Sequence, residues 1–277
     1  MASTKLGLIA GGGDLPLALA RHCAASGRAL HVIRLKGFAD VSMSAFEGSD
    51  IGIAELGKGF AALRRASCQS VCFAGLVRRP DLRALRPDLR GLAALPGAVA
   101  AAARGDDALL SFLLREFERE GFHVEGAHEV MGGLAVGQGP FGTVFPQEAH
   151  LADIERAMEA ARAIGRLDIG QAAVSCDGVV LALEAQEGTD AMLDRVAQLP
   201  AALRGAPGAP RGVLAKALKP GQEIRVDLPT IGPTTVERLQ RAGLAGIVGE
   251  SGRLLVVDQE RTRAAADAAG IFILGIA

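Results

Sequence analysis

The sequence predicts an α/β fold in two domains, residues 1–130 and 147–277, joined by a glycine-rich linker at 131–146. Three observations carry this. In the first half, short apolar runs bounded by glycine alternate with helical stretches, the pattern of βαβ units on a parallel sheet. Residues 131–146, MGGLAVGQGPFGTVFP, hold five glycines and two prolines, which is linker composition. The alternation of strand and helix then resumes to residue 277. A chain of 277 residues with 49% apolar content has enough material to bury a substantial core and to divide in two.

Each element has its own reason. Residues 5–10 (KLGLIA) read as a buried strand, followed by GGGDLP and a helix over 15–26. Further strands are expected at 29–35, 50–54 and 70–75, with a helix at 57–66 between the last two. Two or three helices follow, the last beginning near Asp106, before a short strand at 122–124. In the second half, a helix over 147–164 leads to one strand-like stretch at 172–183, and a helix at 189–198 precedes a Pro/Gly-rich loop at 199–212. Strands near 213–218 and 223–227, a helix at 234–242, strands at 246–248 and 254–257, a helix at 260–269 and a strand at 271–275 complete the pattern.

Composition excludes several classes. Thirty basic residues balance 31 acidic ones, which argues against an electrostatic nucleic-acid binder. The absence of Trp and Tyr removes the usual stacking platform for single strands. Nearly a fifth of the residues are alanine, 36 are glycine, and only five of the 30 basic residues are lysine (Lys5, Lys36, Lys58, Lys216, Lys219). Such a bias towards Ala, Gly and Arg makes the retained lysines the informative ones. Cys23, Cys68, Cys72 and Cys176 lack metal-ligand spacing and read as small buried thiols in a reducing compartment. No signal peptide is expected, and the longest apolar run, at 92–103, is too short to span a membrane. The expectation is a soluble, cytoplasmic protein, with peripheral contact at the inner-membrane surface left open.

Four constellations bear chemistry. Gly11-Gly12-Gly13-Asp14-Leu15-Pro16 lies between the first strand and first helix, where glycines let the backbone approach a phosphate and the helix start supplies N–H groups. A tight turn with Asp14 as helix cap accounts for the same residues, and Pro16 replaces the last glycine of the dinucleotide fingerprint. Gly105-Asp106-Asp107 opens an apolar helix; the two acids serve either as cap and dipole partners or as Mg²⁺ ligands. Glu184, Glu187, Gly188, Thr189 and Asp190 cluster where an apolar strand passes into a helix, a common place for catalytic groups, although Glu184 and Glu187 also suit solvent-facing positions. The densest run, 216–233, combines Lys216, Lys219, a Pro220-Gly221 turn, Gln222, and a strand on which Glu223, Arg225 and Asp227 share one face. Lysines for phosphate oxygens and a carboxylate for a metal or a water suit phosphoryl chemistry; a surface hairpin with an ion-pair ladder is the alternative. The five histidines are scattered, and neither a zincin motif nor a GxSxG elbow is present.

Taken together, GGGDLP, GDDALL, EAQEGTDAML and KPGQEIRVDLPTIGPTTVERLQRAGLAGI resemble, in order and over essentially the whole chain, the bacterial UDP-2,3-diacylglucosamine pyrophosphatases of lipid A biosynthesis that are unrelated to calcineurin-like phosphoesterases. The resemblance implies a Rossmann-like N-terminal domain and a distinct α/β catalytic C-terminal domain, with the substrate between them. It implies Mg²⁺-dependent cleavage of UDP-2,3-diacylglucosamine to UMP and 2,3-diacylglucosamine 1-phosphate (lipid X). The family's essential carboxylate falls on Asp227, while Glu223 stands where Asp is expected in the GQD pattern.

The combined expectation makes Asp227 and Lys219 catalytic. Gly11, Gly12, Gly13, Asp14, Leu15, Gly188, Thr189, Lys216 and Gln222 bind substrate, and Asp227, Glu187, Asp190, Asp106 and Asp107 supply metal ligands. A UDP-sugar-dependent transferase and a non-catalytic lipid or nucleotide carrier remain as alternatives. Oligomeric state stays open.

Overall fold

Five short strands form a parallel sheet in the first half of the chain: β1 (Leu6–Ala10), β2 (Leu30–Leu35), β3 (Gly48–Ile51), β4 (Ser70–Ala74) and β5 (His123–Val124), in the order β3-β2-β1-β4-β5. The computed structural model describes residues 4–77, 85–221, 223–226 and 228–277, with the Asp106 side chain outside the description. These residues divide into two compact units, the first comprising 4–132 with 223–226, the second 133–221 with 228–277.

In the first unit β1 is buried at all five positions, so its sequence is a continuous apolar run rather than an alternation. The helices are α1 (Asp14–Ser26), α2 (Leu56–Arg65), α3 (Leu89–Ala102), α4 (Asp106–Arg119) and the short α5 (Ala127–Val130). One core joins Ile9, Ile33, Leu63 and Val71 to Phe60, Phe117 and Phe122. Phe117 meets Phe60 and Phe73 edge-on, with ring centroids 4.8 and 4.9 Å apart. The strand order reverses direction between β1 and β4, the switch point at which open parallel sheets of this kind bind ligands. The Rossmann-like reading agrees with this sheet.

The second unit contains β6 (Gly139–Pro140), β7 (Ala172–Cys176), β8 (Val179–Leu183), β9 (Gly205–Ala206), β10 (Ala209–Pro210), β11 (Val213–Lys216), β12 (Thr230–Ile231), β13 (Gly246–Glu250), β14 (Leu255–Val256) and β15 (Phe272–Ile276). Its helices are α6 (Leu151–Arg166), α7 (Gly188–Gln198), α8 (Ala201–Arg204), α9 (Pro233–Ala242) and α10 (Gln259–Ala269). Six strands make a mixed sheet, β6-β15-β13-β11-β7-β8, in which β11, β13 and β15 are parallel and β6 and β7 run against their neighbours.

Period-2 alternation assigns the sheet's two faces. Val174, Leu214, Ile247 and Ile273 join Leu193, Val196, Val236 and Leu239 in one core. Ala173, Ala215, Val248 and Phe272 join Ile154, Ala157, Met158 and Ala161 of α6 in the other. Much of the alanine therefore works here, letting α6 lie close on the sheet. Gly246 is glycine for a related reason: a Cβ there would sit 2.2 Å from the Phe272 ring.

Three segments differ from the sequence expectation. The apolar stretch 172–183 is a hairpin, because Asp177 (φ 52°) and Gly178 (φ 76°) form a tight turn between β7 and β8. Residues 223–226 form a turn rather than a strand: Val226 N–H donates to the Glu223 carbonyl at 3.0 Å, and Arg225 folds back onto Glu223. The glycine-rich stretch 131–146 enters the second unit's own structure, since Val136 is buried in its core and Gly139–Pro140 pairs with β15. No helix among the described residues is long and apolar enough to cross a membrane.

Candidate active site

The C-terminal ends of β8 and β11 carry a chain of buried polar groups. Both strands point the same way, because β7 lies antiparallel between them. Lys216 closes β11 opposite Ala172, and Glu184 follows β8 with its N–H on the Ala172 carbonyl at 2.9 Å. The Lys216 Nζ donates to Thr189 Oγ1 at 3.0 Å and to the Thr230 carbonyl at 3.1 Å. Thr189 Oγ1 in turn donates to Glu184 Oε1 at 2.6 Å, and the Gln171 N–H donates to Glu184 Oε2 at 2.9 Å. Gly188, at φ 80°, supplies the left-handed turn that starts α7 and brings Thr189 to this place. Glu184 and Lys216 are each only 6% exposed, a setting in which charges act strongly on a ligand. Three residues farther on, Lys219 Nζ pairs with Asp168 Oδ1 at 2.8 Å.

The expected metal ligands are placed differently. Glu187 accepts from Arg195 Nη2 at 2.6 Å. Its own backbone N–H holds its carboxyl below the usual value; burial opposes this, and Arg195 adds a further downward pull. Asp190 faces Arg238 Nε at 3.4 Å, and Arg238 also binds Asp194. Each acid thus has an arginine beside it, Asp190 at ion-pair distance without a hydrogen bond to Arg238 Nε. Asp227 and the Asp106 side chain lie outside the described residues, as does Gln222. Asp107 lies in the first turn of α4 after Gly105 (φ 126°). Among the described residues, acids and a thiol converge only at Asp153, Cys176 and Asp177. There the Asp153 carboxylate already accepts from Ser175 Oγ, Asp177 N–H and Gly178 N–H at 2.8, 3.0 and 2.8 Å. Burial, then Asp177 and Asp153, push the Cys176 thiol up to about 11, which makes it a poor ligand.

At the switch point of the first unit, the glycine turn serves packing. Gly11 N–H donates to the Ala74 carbonyl at 2.9 Å, Gly12 N–H to the Leu76 carbonyl at 3.0 Å, and Gly13 N–H to Asp40 Oδ2 at 2.9 Å. The three amides expected to hold phosphate oxygens are therefore already bonded. A Cβ on Gly11 would lie 2.7 Å from the Leu76 carbonyl oxygen, so close backbone approach explains that glycine. Asp14 and Leu15 form the first turn of α1, the anion-favouring end of that helix. Near Asp227 in sequence, Arg225 holds Glu223 through two contacts of 2.8 Å and Glu118 through a third of 2.8 Å. Arg225 lowers the Glu223 carboxyl despite burial, so Glu223 acts as the partner of an arginine.

The sequence placed Glu184 in the strand-to-helix cluster but gave it no role in the site, and it did not single out Asp168 or Asp40. Glu184 had a signal: counting by two from buried Ala182 puts it on the inward face, while Leu183 is 41% exposed. Asp168 and Asp40 had none, because each meets its partner across a loop.

The parallel switch-point sheet and the lysine-bearing mixed sheet define a two-unit α/β protein with a buried Glu184–Thr189–Lys216 chain at the end of its second sheet. Family models match nearly the whole chain, the LpxI N-terminal domain at residues 5–134 and the LpxI C-terminal domain at 137–274. The chain belongs to the LpxI family. The UDP-2,3-diacylglucosamine pyrophosphatase LpxI of Caulobacter vibrioides is 62% identical over 272 residues, covering 98% of this chain and 97% of that protein. Among solved structures, N5-carboxyaminoimidazole synthase from Aspergillus clavatus, in complex with ADP and an aminoimidazole ribonucleotide, aligns at 13% identity over 76% of this chain. This chain spans under half of that one (46%), and the TM-score of 0.22 carries no argument.

Proposed function

We propose that the chain hydrolyses the pyrophosphate bond of UDP-2,3-diacylglucosamine, releasing UMP and 2,3-diacylglucosamine 1-phosphate, and that it requires Mg²⁺. The observation that carries this is the 62% identity, over 98% of the chain, to a protein named for that activity. The chemistry of the site supports it. Water must attack a phosphorus crowded by negative charge, so cations have to approach its oxygens and a carboxylate has to position or deprotonate the water. Lys216 and Lys219 are the proposed cations, and burial makes the Lys216 charge more effective than a surface lysine. Asp227 is the proposed essential carboxylate, and the first turn of α1, with Asp14 and Leu15, is proposed to favour phosphate oxygens.

Bound Mg²⁺ would neutralise pyrophosphate charge. Its proposed ligands are Asp227, Glu187, Asp190, Asp106 and Asp107, with Glu187 and Asp190 exchanging their arginine partners for the ion. A diacyl substrate resides in a membrane, and peripheral contact with that surface belongs to the same proposal. Leu89 and Leu92, exposed on α3, support it.

The test is purified protein with UDP-2,3-diacylglucosamine and no acceptor, in Mg²⁺ and in EDTA. UMP and lipid X appear in Mg²⁺ and not in EDTA. Turnover only when an acceptor is added, giving UDP or a uridylylated acceptor, would mean a transferase, and bound substrate that never turns over a carrier; either overturns hydrolysis. Turnover that survives EDTA removes the metal alone.

A further inference from the structure

Glu184 lies outside the set of residues expected to act on substrate, yet it anchors a buried charge network of the second unit. We propose that Glu184 is a positioning residue, acting through the Thr189 hydroxyl to aim the Lys216 ammonium. That Lys216 meets a phosphate rests on the proposed pyrophosphatase activity; that Glu184 orients Lys216 does not.

The argument is one of proton direction. A threonine hydroxyl has a single proton and two lone pairs. The proton of Thr189 goes to Glu184 Oε1 at 2.6 Å, which leaves its lone pairs to receive Lys216 Nζ at 3.0 Å. The carboxylate is itself fixed, because Gln171 N–H holds its other oxygen at 2.9 Å. Thr230, through its carbonyl at 3.1 Å, takes a second Lys216 proton. These two bonds hold the ammonium in place, and Lys216 has an interaction beyond them. Water does not easily replace any of these bonds, since Glu184 and Lys216 are both 6% exposed.

Glu184→Gln tests the polarity while nearly preserving shape. The glutamine oxygen still accepts from Gln171 N–H, so its NH₂ faces Thr189. The hydroxyl must then accept from that amide as well as from Lys216, and its own proton loses the acceptor that fixed its orientation. The expected loss in kcat/KM is about tenfold or more. Thr189→Val cuts the same link and causes a similar loss. The double variant falls no more than about threefold below the worse single, because the link is already broken. Thr189→Ser, which restores a hydroxyl, recovers most of the loss.

A second readout is independent of turnover. With only five lysines in the chain, ¹⁵N-edited spectra resolve their Nζ groups, and Lys216→Met assigns its signal. Wild-type protein shows a slowly exchanging Lys216 signal that is lost in Glu184→Gln and Thr189→Val and regained in Thr189→Ser. Should Glu184→Gln fail to fold, the Thr189 pair carries the comparison. Wild-type protein that releases no UMP but shows this spectral pattern refutes the pyrophosphatase reading and leaves the positioning intact. Independent losses that multiply in the double variant, or a Lys216 signal indifferent to Glu184 and Thr189, overturn the positioning role.

Discussion

Asp153→Ala should loosen the β7–β8 hairpin and with it the strand that delivers Glu184. The Asp153 carboxylate, 2% exposed, accepts from Ser175 Oγ and from the N–H groups of Asp177 and Gly178. Alanine leaves all three donors without their acceptor, but not at equal cost. Ser175 is 0% exposed, so its hydroxyl meets no water and costs about 1–3 kcal/mol. The two turn amides belong to exposed residues and regain water, for about 1 kcal/mol each. The sum is about 3–5 kcal/mol, large for one substitution because it removes a buried charged acceptor. Hydrogen exchange of residues 172–183, read by mass spectrometry, should accelerate by about two to four decades at 1.36 kcal/mol per decade. Exchange suits this chain better than intrinsic fluorescence, since it has neither Trp nor Tyr. Adding Ser175→Ala removes the stranded hydroxyl, so the double variant should cost about 1–2 kcal/mol less than the sum of the singles. Exchange within about threefold of wild type, or strictly additive costs, would show that Asp153 does not lock the turn.

Three other expectations follow, two from the structure and one from the proposed function. Gly75→Ala should destabilise the first unit by at least about 2 kcal/mol in urea melts followed by circular dichroism, because φ is +91° and the new Cβ lies 2.5 Å from the Gly12 carbonyl oxygen; Gly121→Ala, at φ +89° with nothing within 4 Å, should cost only about 1 kcal/mol. Burial disfavours the charged form of Glu125, but hydrogen bonds involving Arg28 and Ser70 outweigh it and lower its carboxyl from 4.5. Its contribution is therefore full above the ordinary glutamate value and lost as pH falls through the lowered one, so Glu125→Gln should lose less stability on acidification than wild type, as read from urea midpoints at neutral and acid pH. Asp227→Ala should abolish turnover, a loss of about a thousandfold or more, while leaving the circular dichroism spectrum unchanged; wild-type rates in that variant would remove Asp227 from its proposed role.

The parallel sheet was legible because strands covered on both faces read as plain apolar runs, as LGLIA of β1 does. The two lysines of 216–219 stood out because the composition left so few others. The hairpin was hidden for the same reason that β1 was plain: AAVSC and VVLAL are both apolar, and only Asp177-Gly178 marks the turn. Alternating Glu223, Arg225 and Asp227 imitated a strand, but a guanidinium two residues from a carboxylate closes on its neighbour instead. The bonded state of the Gly11–Gly13 amides was beyond sequence, because their acceptors lie at Asp40, Ala74 and Leu76. Glu187 and Asp190 show the same limit: their arginines come from positions 195 and 238.

Residues 223–226 count with the first unit although the chain on either side of them counts with the second. Val226 packs on the core of Phe117 and Phe122, and Arg225 holds Glu118 of α4. This path has a consequence for biosynthesis. As the chain emerges from a ribosome, the first unit must wait, missing one piece of its own packing, until most of the second has been translated. A gene fragment ending at residue 132 encodes that waiting state permanently. Coexpressing the two halves as separate polypeptides would leave the missing piece on the other molecule, so the first half is not self-sufficient as a translation product.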